Sequence, residues 1–340
     1  MVDDKNMISI EVTTQCNVSC PHCFARGISR ENSSLSLGVC KEVITEAKDL
    51  GYKQLHVTGG EPLLWNGLFR TLGWAFELGY ESVFLNTNGT LLTEDMCARL
   101  ASYEGLSISI SLDGPEDLHN CIRPDAPYEN VLKGIERALA GGNRVYIFSL
   151  ATKSLLSLLP HFAEDTYGMF TGLSGMTLLP IVPMRGMQWL SNEYVHYNDF
   201  PEFVRELAYL NLYGLTIEVL NEPLVNVVSR ALNISWIPFS YDLVQNGNIM
   251  VTASGEMRLS HSSNGSFGKY GRGMIGKVLG DERYRGAVGA DRTTCPSCKY
   301  LHECQKAGMI RPTSNNRGGI SEAPYCKRVM GLVLEETKGH

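Results

Sequence analysis

Two groups of cysteines carry the chemistry of this chain. Cys16-Asn-Val-Ser-Cys20-Pro-His-Cys23 sets three thiols in a C-x3-C-x2-C run. Three thiolates on one loop can hold three irons of a four-iron cluster, leaving the fourth iron open to chelation by a small molecule. His22 could instead complete a zinc set with them, although ligands this close in sequence do not usually all converge on one tetrahedral centre. Farther along, Cys295-Pro-Ser-Cys298-Lys-Tyr-Leu-His-Glu-Cys304 gives C-x2-C-x5-C, and Cys326 follows. Four thiolates would fully ligate a second four-iron cluster; they are also zinc's preferred closed set.

A scaffold must bring these loops to one place. Strands are predicted at 8–12, 54–58, 82–86, 106–112, 145–150 and 176–181, short runs rich in apolar or β-branched residues, as for strands covered on both faces. Ser36 is expected to cap a helix through Asp49, with Val39, Val43, Ile44 and Ala47 on one face and Gly51 closing it. Thr93 is expected to cap another through Ala101, with Glu94 and Asp95 in its favourable first turn. Further helices are predicted at 128–140, at 155–167 with Pro160 interrupting the pattern, and at 200–213. Cys40 and Cys97 fall on these helices and read as buried small hydrophobes.

Repeated β–α units imply a parallel sheet with right-handed crossovers. Six units are fewer than the eight of a closed barrel, so the expected fold is α/β, an open, partial (β/α)6 TIM-like barrel with ligands at the carboxyl ends of its strands. The first cysteine run directly follows the first strand. After residue 214 the rhythm changes. Residues 243–259 read as a hairpin with an Asn246-Gly247 turn signal, followed by a Gly- and Ser-rich stretch and the second cysteine group. The division expected is a barrel over 1–215 and a small cluster-binding domain over 216–340.

Bulk properties narrow the class. The 340 residues carry 30 Lys and Arg against 36 Asp and Glu, a net charge of −6, which favours neither nucleic acid nor an anionic membrane as partner. The start, Met-Val-Asp-Asp-Lys-Asn, lacks the basic-then-apolar pattern of a secretory signal, and no apolar run approaches the roughly 18 residues that suggest a membrane span. A cytoplasmic protein is expected, in which ten cysteines serve metal or redox chemistry rather than a disulfide framework.

The residues around the first cysteines resemble the radical S-adenosylmethionine (SAM) superfamily. The resemblance rests on the cysteine spacing with Phe24 after it, on Gly59-Gly60-Glu61-Pro62 ending the second strand, and on Asn86-Thr87-Asn88-Gly89 ending the third. It extends to Ser109-Ile-Ser111-Leu-Asp113-Gly114 and Arg123 after the fourth. It implies a 4Fe-4S cluster on Cys16, Cys20 and Cys23, with the amino and carboxylate groups of SAM on the open iron. Reductive cleavage of SAM to a 5′-deoxyadenosyl radical would follow, fed by a flavodoxin- or ferredoxin-like donor. Gly59, Gly60 and Glu61 match the motif that holds the SAM amino group, with Phe24, Asn86 and Asn88 at the same rim. Ser111 and Arg123 match the pair that binds its carboxylate, a task suited to arginine's planar fork. Cys121, beside Arg123, is a candidate catalytic residue whose alternative is simple packing.

The second cysteine group resembles the C-terminal SPASM/twitch extension of such enzymes, implying an auxiliary 4Fe-4S cluster on Cys295, Cys298, Cys304 and Cys326. The chain departs from the full pattern where Leu259-Ser260-His261 stands in place of an expected cysteine, so one auxiliary cluster is expected rather than two. His261 becomes a candidate substrate-binding group or proton acceptor, the favoured alternative being an exposed loop histidine. Ser149, Thr152, Arg185, His196 and Ser263 are further polar candidates for the cavity. The resemblance implies hydrogen abstraction from a peptide, in the maturation of a ribosomal natural product, or from a small polar metabolite such as a sugar, nucleoside or amino sugar. Few residues precede the first strand, which weighs against an N-terminal peptide-recognition domain. A non-catalytic iron–sulfur or zinc protein is the alternative of another class.

Overall fold

The computed structural model describes residues 7–23, 32–181, 192–222, 224–234, 236–238, 248–260, 265–289, 300 and 322–338. Seven strands lie side by side in chain order, all parallel: β1 (Met7–Glu11), β2 (Gln54–Thr58), β3 (Ser82–Thr87), β4 (Leu106–Ser111), β5 (Arg144–Ala151), β6 (Gly175–Pro180) and β7 (Ile217–Val219). On the other side of β1, β8 (Ile249–Val251) runs parallel to it and turns back into an antiparallel β9 (Met257–Arg258). The order β7-β6-β5-β4-β3-β2-β1-β8-β9 has two separate ends, so the sheet is an open one. The six expected strands are present, and β7 and the hairpin extend them to nine.

Helices fill the crossovers. They are α1 (Leu37–Asp49), α2 (Leu68–Glu77), α3 (Glu94–Ala101), α4 (Glu116–Ile122), α5 (Tyr128–Ala140), α6 (Lys153–Leu156), α7 (Leu159–Met169), α8 (Phe200–Leu212), α9 (Leu224–Ala231), α10 (Met274–Gly280), α11 (Glu282–Gly289) and α12 (Glu322–Lys338). The caps read from sequence form: Ser36 accepts from Val39 N–H and Thr93 from Met96 N–H, each satisfying an orphan donor of the first turn. The helix expected over 155–167 is instead two, because Pro160 suits the first turn of α7 and not the interior of a longer helix. The hairpin turn lies at 252–256, where Thr252 N–H bonds Glu256 O and Gly255 takes a φ of 80°. Asn246-Gly247 lies outside the described residues.

The two faces of the sheet differ. On one face Ile8, Ile10, Leu55, Val57, Val83, Leu85, Ile108, Ile110, Val145 and Ile147 are all fully buried in the core that the helices cover. Each such side chain contributes about 1.5–3 kcal/mol on burial, so this face drives folding. The opposite face alternates with it and carries Ser9, His56, Phe84, Asn86, Ser109, Ser111, Tyr146, Phe148, Thr177 and Glu218, several of them half-exposed. They fall in register as Ser9 beside His56, Asn86 beside Ser109 and Ser109 beside Tyr146. The strands are therefore not apolar on both faces, as their sequences suggested. The second face is a polar lining.

Candidate active site

The cysteine loop grows out of β1 by continuing its pairing with β2 past the end of both strands. Val12 N–H donates to Thr58 O at 2.8 Å, Gly60 N–H to Thr13 O at 2.6 Å and Glu61 N–H to Gln15 O at 2.8 Å. Such an approach leaves no room for side chains. A Cβ on Gly59 would lie 2.6 Å from Thr13 O, and one on Gly60 would lie 2.3 Å from Gln15 O. The glycines thus admit the root of the cysteine loop, a packing reason beside the ligand-facing one that sequence suggested. On the other flank, Thr14 N–H bonds Ser33 O and Leu35 N–H bonds Val12 O, both at 2.9 Å.

The motif glutamate is turned inward. Glu61 is fully buried, and its carboxylate accepts from Thr87 Oγ1 at 2.8 Å, Asn88 N–H at 2.8 Å and Leu63 N–H at 3.1 Å. Burial pushes its pKa up, against these hydrogen bonds. From the β3 end so fixed, Asn88 Nδ2 donates to Asn17 Oδ1 at 2.9 Å and stands 4.0 Å from Cys16 Sγ. Asn17 donates in turn to Thr90 Oγ1 at 2.9 Å. The Cys16 side of the loop is thereby tied to β3.

The Cys20 side is tied to the segment after β4. Ser19 N–H donates to Asp125 Oδ2 at 3.0 Å. Arg123 Nη1 reaches Cys20 Sγ at 3.6 Å, while its Nε bonds Asp113 Oδ2 at 2.5 Å. Asp113 has no solvent exposure, and its other oxygen accepts Leu150 N–H at 2.8 Å. Burial alone would raise its pKa; the Arg123 guanidinium and these hydrogen bonds outweigh it and hold the carboxyl below the usual range. His119 supports the turn: Nδ1 accepts Asp113 N–H, so Nε2–H donates to Ala126 O at 2.9 Å. That pairing fixes the neutral tautomer, consistent with a pKa lowered chiefly by burial.

These features fit an iron–sulfur cluster better than a single ion. Cys16, Cys20 and Cys23 are free thiols on one loop, the outer two half-buried. Burial pushes the Cys16 and Cys20 thiols up, and at Cys20 the Arg123 charge opposes it, favouring thiolate. His22 has one backbone hydrogen bond, with Ile122, its Nδ1 is buried without a hydrogen-bond partner, and burial lowers its pKa to about 4. Among the described residues no three His, Cys, Asp or Glu side chains gather closely enough for one metal ion. Three separate thiolates, one per iron, are the donor set of a cluster with an open corner.

Other candidates are placed as follows. Ser111 is half-exposed at the carboxyl end of β4, and Asn86, on the lining face of β3, hydrogen-bonds His56. Phe24, Cys295, Cys298, Cys304, Arg185, His261 and Ser263 lie outside the described residues. Cys326 is half-buried on α12. Ser149 and Thr152 do not face a cavity: Ser149 Oγ is spent on Leu112 O and Thr152 caps α6. His196 is exposed, its ring 4.1 Å from that of Tyr197 and tilted to it by 37°. Cys121 is exposed on α4 while His119 and Ile122 of that helix are buried, so it is not packed. Asn17, Thr87, Asp113 and Asp125 were not singled out from the sequence; Asn17, Thr87 and Asp113 carried a signal by standing inside the quoted motifs, and Asp125 carried none.

An open α/β barrel with a three-cysteine loop on its first strand, glycines at the end of the second and an arginine after the fourth is the radical SAM architecture. Residues 10–168 match the Radical SAM superfamily, and the chain carries a domain of that superfamily. Among curated relatives, a probable GTP 3′,8-cyclase from Methanothermobacter marburgensis is 34% identical over 137 residues, 40% of this chain and 44% of that protein. The mycofactocin maturase MftC of Mycobacterium tuberculosis is 28% identical over 155 residues, 45% of this chain and 39% of its own. The chain thus spans less than half the length of either. In fold it is similar to native anSMEcpe solved with bound AdoMet and Cp18Cys peptide, with a TM-score of 0.71 at 15% identity, covering 98% of this chain and 96% of that one. The superfamily's cofactors are a 4Fe-4S cluster and SAM.

Proposed function

We propose that this chain is a radical SAM enzyme that holds its cluster on Cys16, Cys20 and Cys23 and abstracts hydrogen from a peptide. The observation that carries the reading is the pinning of the cysteine loop from two sides, by Asn88 near Cys16 and by Arg123 on Cys20. Cluster and SAM together would supply a 5′-deoxyadenosyl radical. The chain's own part is binding and exclusion. The backbone of Gly59, Gly60 and Glu61 lies at the rim beside Asn88, where a SAM amino group would sit. Ser111 and Arg123 would hold its carboxylate. Beneath them the polar lining of Asn86, Ser109 and Tyr146 would orient a substrate. An anaerobic assay of the reconstituted protein tests the reading: reductant-dependent 5′-deoxyadenosine from SAM is expected, lost when the three cysteines become alanine. A non-catalytic protein would form none.

A maturase among the relatives and a peptide in a neighbour of like fold support the peptide. A small polar metabolite is the second reading, favoured by the polar lining and by a relative named for GTP. Turnover of a sugar or nucleoside with no peptide present would decide for it. Residues 216–340 would form a twitch/SPASM-like region beyond the barrel of 1–215, with one auxiliary 4Fe-4S cluster on Cys295, Cys298, Cys304 and Cys326. About four irons retained after removal of Cys16, Cys20 and Cys23 would establish it; zinc or no metal would sink it. The setting proposed is cytoplasmic, with a flavodoxin- or ferredoxin-like donor. No helix among the described residues is long and apolar enough to cross a membrane.

A further inference from the structure

We infer that Arg123 sets the reduction potential of the cluster on Cys16, Cys20 and Cys23, through a charged N–H aimed at the sulfur of Cys20; the inference rests on the cluster reading above. Its guanidinium is held in place. The side chain is 14% exposed and Nε is locked on Asp113, which has no exposure and is itself anchored by Leu150 N–H. With Nε fixed, the planar fork directs Nη1 at Cys20 Sγ, 3.6 Å away. Swinging aside would leave the buried Asp113 charge without its partner, a cost that breaking such pairs makes large.

Hydrogen bonds and positive charge at ligand sulfurs stabilise the reduced, more negative cluster and raise its potential. The partners of a ligand tune a metal centre in the same manner as the ligands themselves. The three cysteines are served unequally. Cys20 faces a full cationic donor, Cys16 faces the neutral Asn88 carboxamide at 4.0 Å and a backbone hydrogen bond from Val18, and Cys23 Sγ faces no side-chain donor among those described. Arg123 is thus a positioning and potential-setting residue toward the protein side of the cluster, besides the carboxylate role proposed for it. The Arg123 charge also reaches Cys23, but of the three sulfurs only that of Cys20 receives its N–H.

The test is an EPR-monitored redox titration of the anaerobically reconstituted protein without SAM, on wild type, Arg123→Gln and Arg123→Lys, with iron and sulfide counted on each. To keep the auxiliary site silent, all three carry Cys295, Cys298 and Cys304 as alanine, so that wild type denotes Arg123 in that background. Both Arg123 variants should titrate at lower midpoint than wild type, Arg123→Gln the lower of the two because it also loses the charge. The lysine variant serves if the glutamine variant fails to assemble. Four irons with midpoints equal to wild type would overturn the role of Arg123 while leaving the cluster reading intact. Failure of the Arg123-intact protein to take up about four irons would instead overturn the cluster reading itself. The SAM dissociation constant, measured in parallel, reports the carboxylate role and leaves the midpoint result unaffected.

Discussion

Glu61 and Asn88 are joined through the carboxylate Oε2 and the backbone N–H at 2.8 Å, so the last residue of the Gly-Gly-Glu motif faces the next strand. Thr87 and Leu63 fill its other oxygen. In Glu61→Gln an amide NH2 meets at least one of these donors, and a buried donor goes unmet. That costs about 1–3 kcal/mol. A urea titration should show a lower midpoint at unchanged slope. An unchanged midpoint would mean that the carboxylate does not tie β2 to β3.

Gly60→Ala and Gly73→Ala should behave in opposite ways. A Cβ at Gly60 meets Gln15 O at 2.3 Å and Thr14 O at 2.7 Å, both backbone, whereas one at Gly73 meets nothing within 4 Å. Gly60→Ala should destabilise by about 1–3 kcal/mol, as overpacking does, and lower the iron bound. Gly73→Ala, in the interior of α2, should gain about 0.5–1 kcal/mol. Equal effects in thermal unfolding would contradict the crowding at Gly60.

Asp113→Asn leaves Arg123 without its buried partner, a loss of about 3–5 kcal/mol near neutral pH. The pH dependence follows from the sign of the shift. The folded-state pKa of Asp113 is depressed, so its stabilisation is full above the unfolded value of about 3.9 and is lost as pH falls through the folded one. The gap between wild type and Asp113→Asn in denaturant midpoint should therefore be widest near neutrality and narrow below about pH 4. A gap independent of pH would contradict the ion pair.

Glu46 of α1 clasps the start of α10. Its carboxylate accepts from Tyr270 Oη and Gly273 N–H at 2.9 Å, from Ile275 N–H at 2.8 Å and from Gly276 N–H at 3.4 Å. Glu46→Ala strips that helix of its cap, a change that costs typically about 1 kcal/mol. Amide hydrogen exchange at 273–276 should quicken several-fold, with β1–β5 unaffected. Uniform quickening would mean that Glu46 supports the whole barrel instead.

What could be read from sequence was local. The caps at Ser36 and Thr93, the helix over Tyr128–Ala140 and the cysteine spacing each depend on residues within a few positions. The helix over Leu68–Glu77 escaped because Gly67 offers no side-chain cap and Gly73 interrupts its pattern. Strand β7 escaped because three residues leave little pattern. The polar lining was partly written in Ser107-Ile-Ser109-Ile-Ser111, yet its apolar partners dominated the reading. At the site, the motif residues were legible and their partners were not. Asn17 meets Asn88, and Ser19 meets Asp125, across gaps of 71 and 106 positions, and nothing in the local sequence couples them.

The strand that bears the cysteine loop finds its second neighbour very late. Ile8 pairs with Ile249 and Ile10 with Val251, while Ser9 Oγ bonds Asn248 Oδ1 at 2.7 Å and Glu11 Oε2 accepts Ala253 N–H at 2.9 Å. During synthesis, which folds a chain from its beginning, β1 stays a bare edge on that flank until Ile249–Val251 has been made. An uncovered edge is a template for wrong pairing. Iron delivery before that moment would meet a loop whose root can still shift, so the order of events on the ribosome favours loading the metal into a finished barrel.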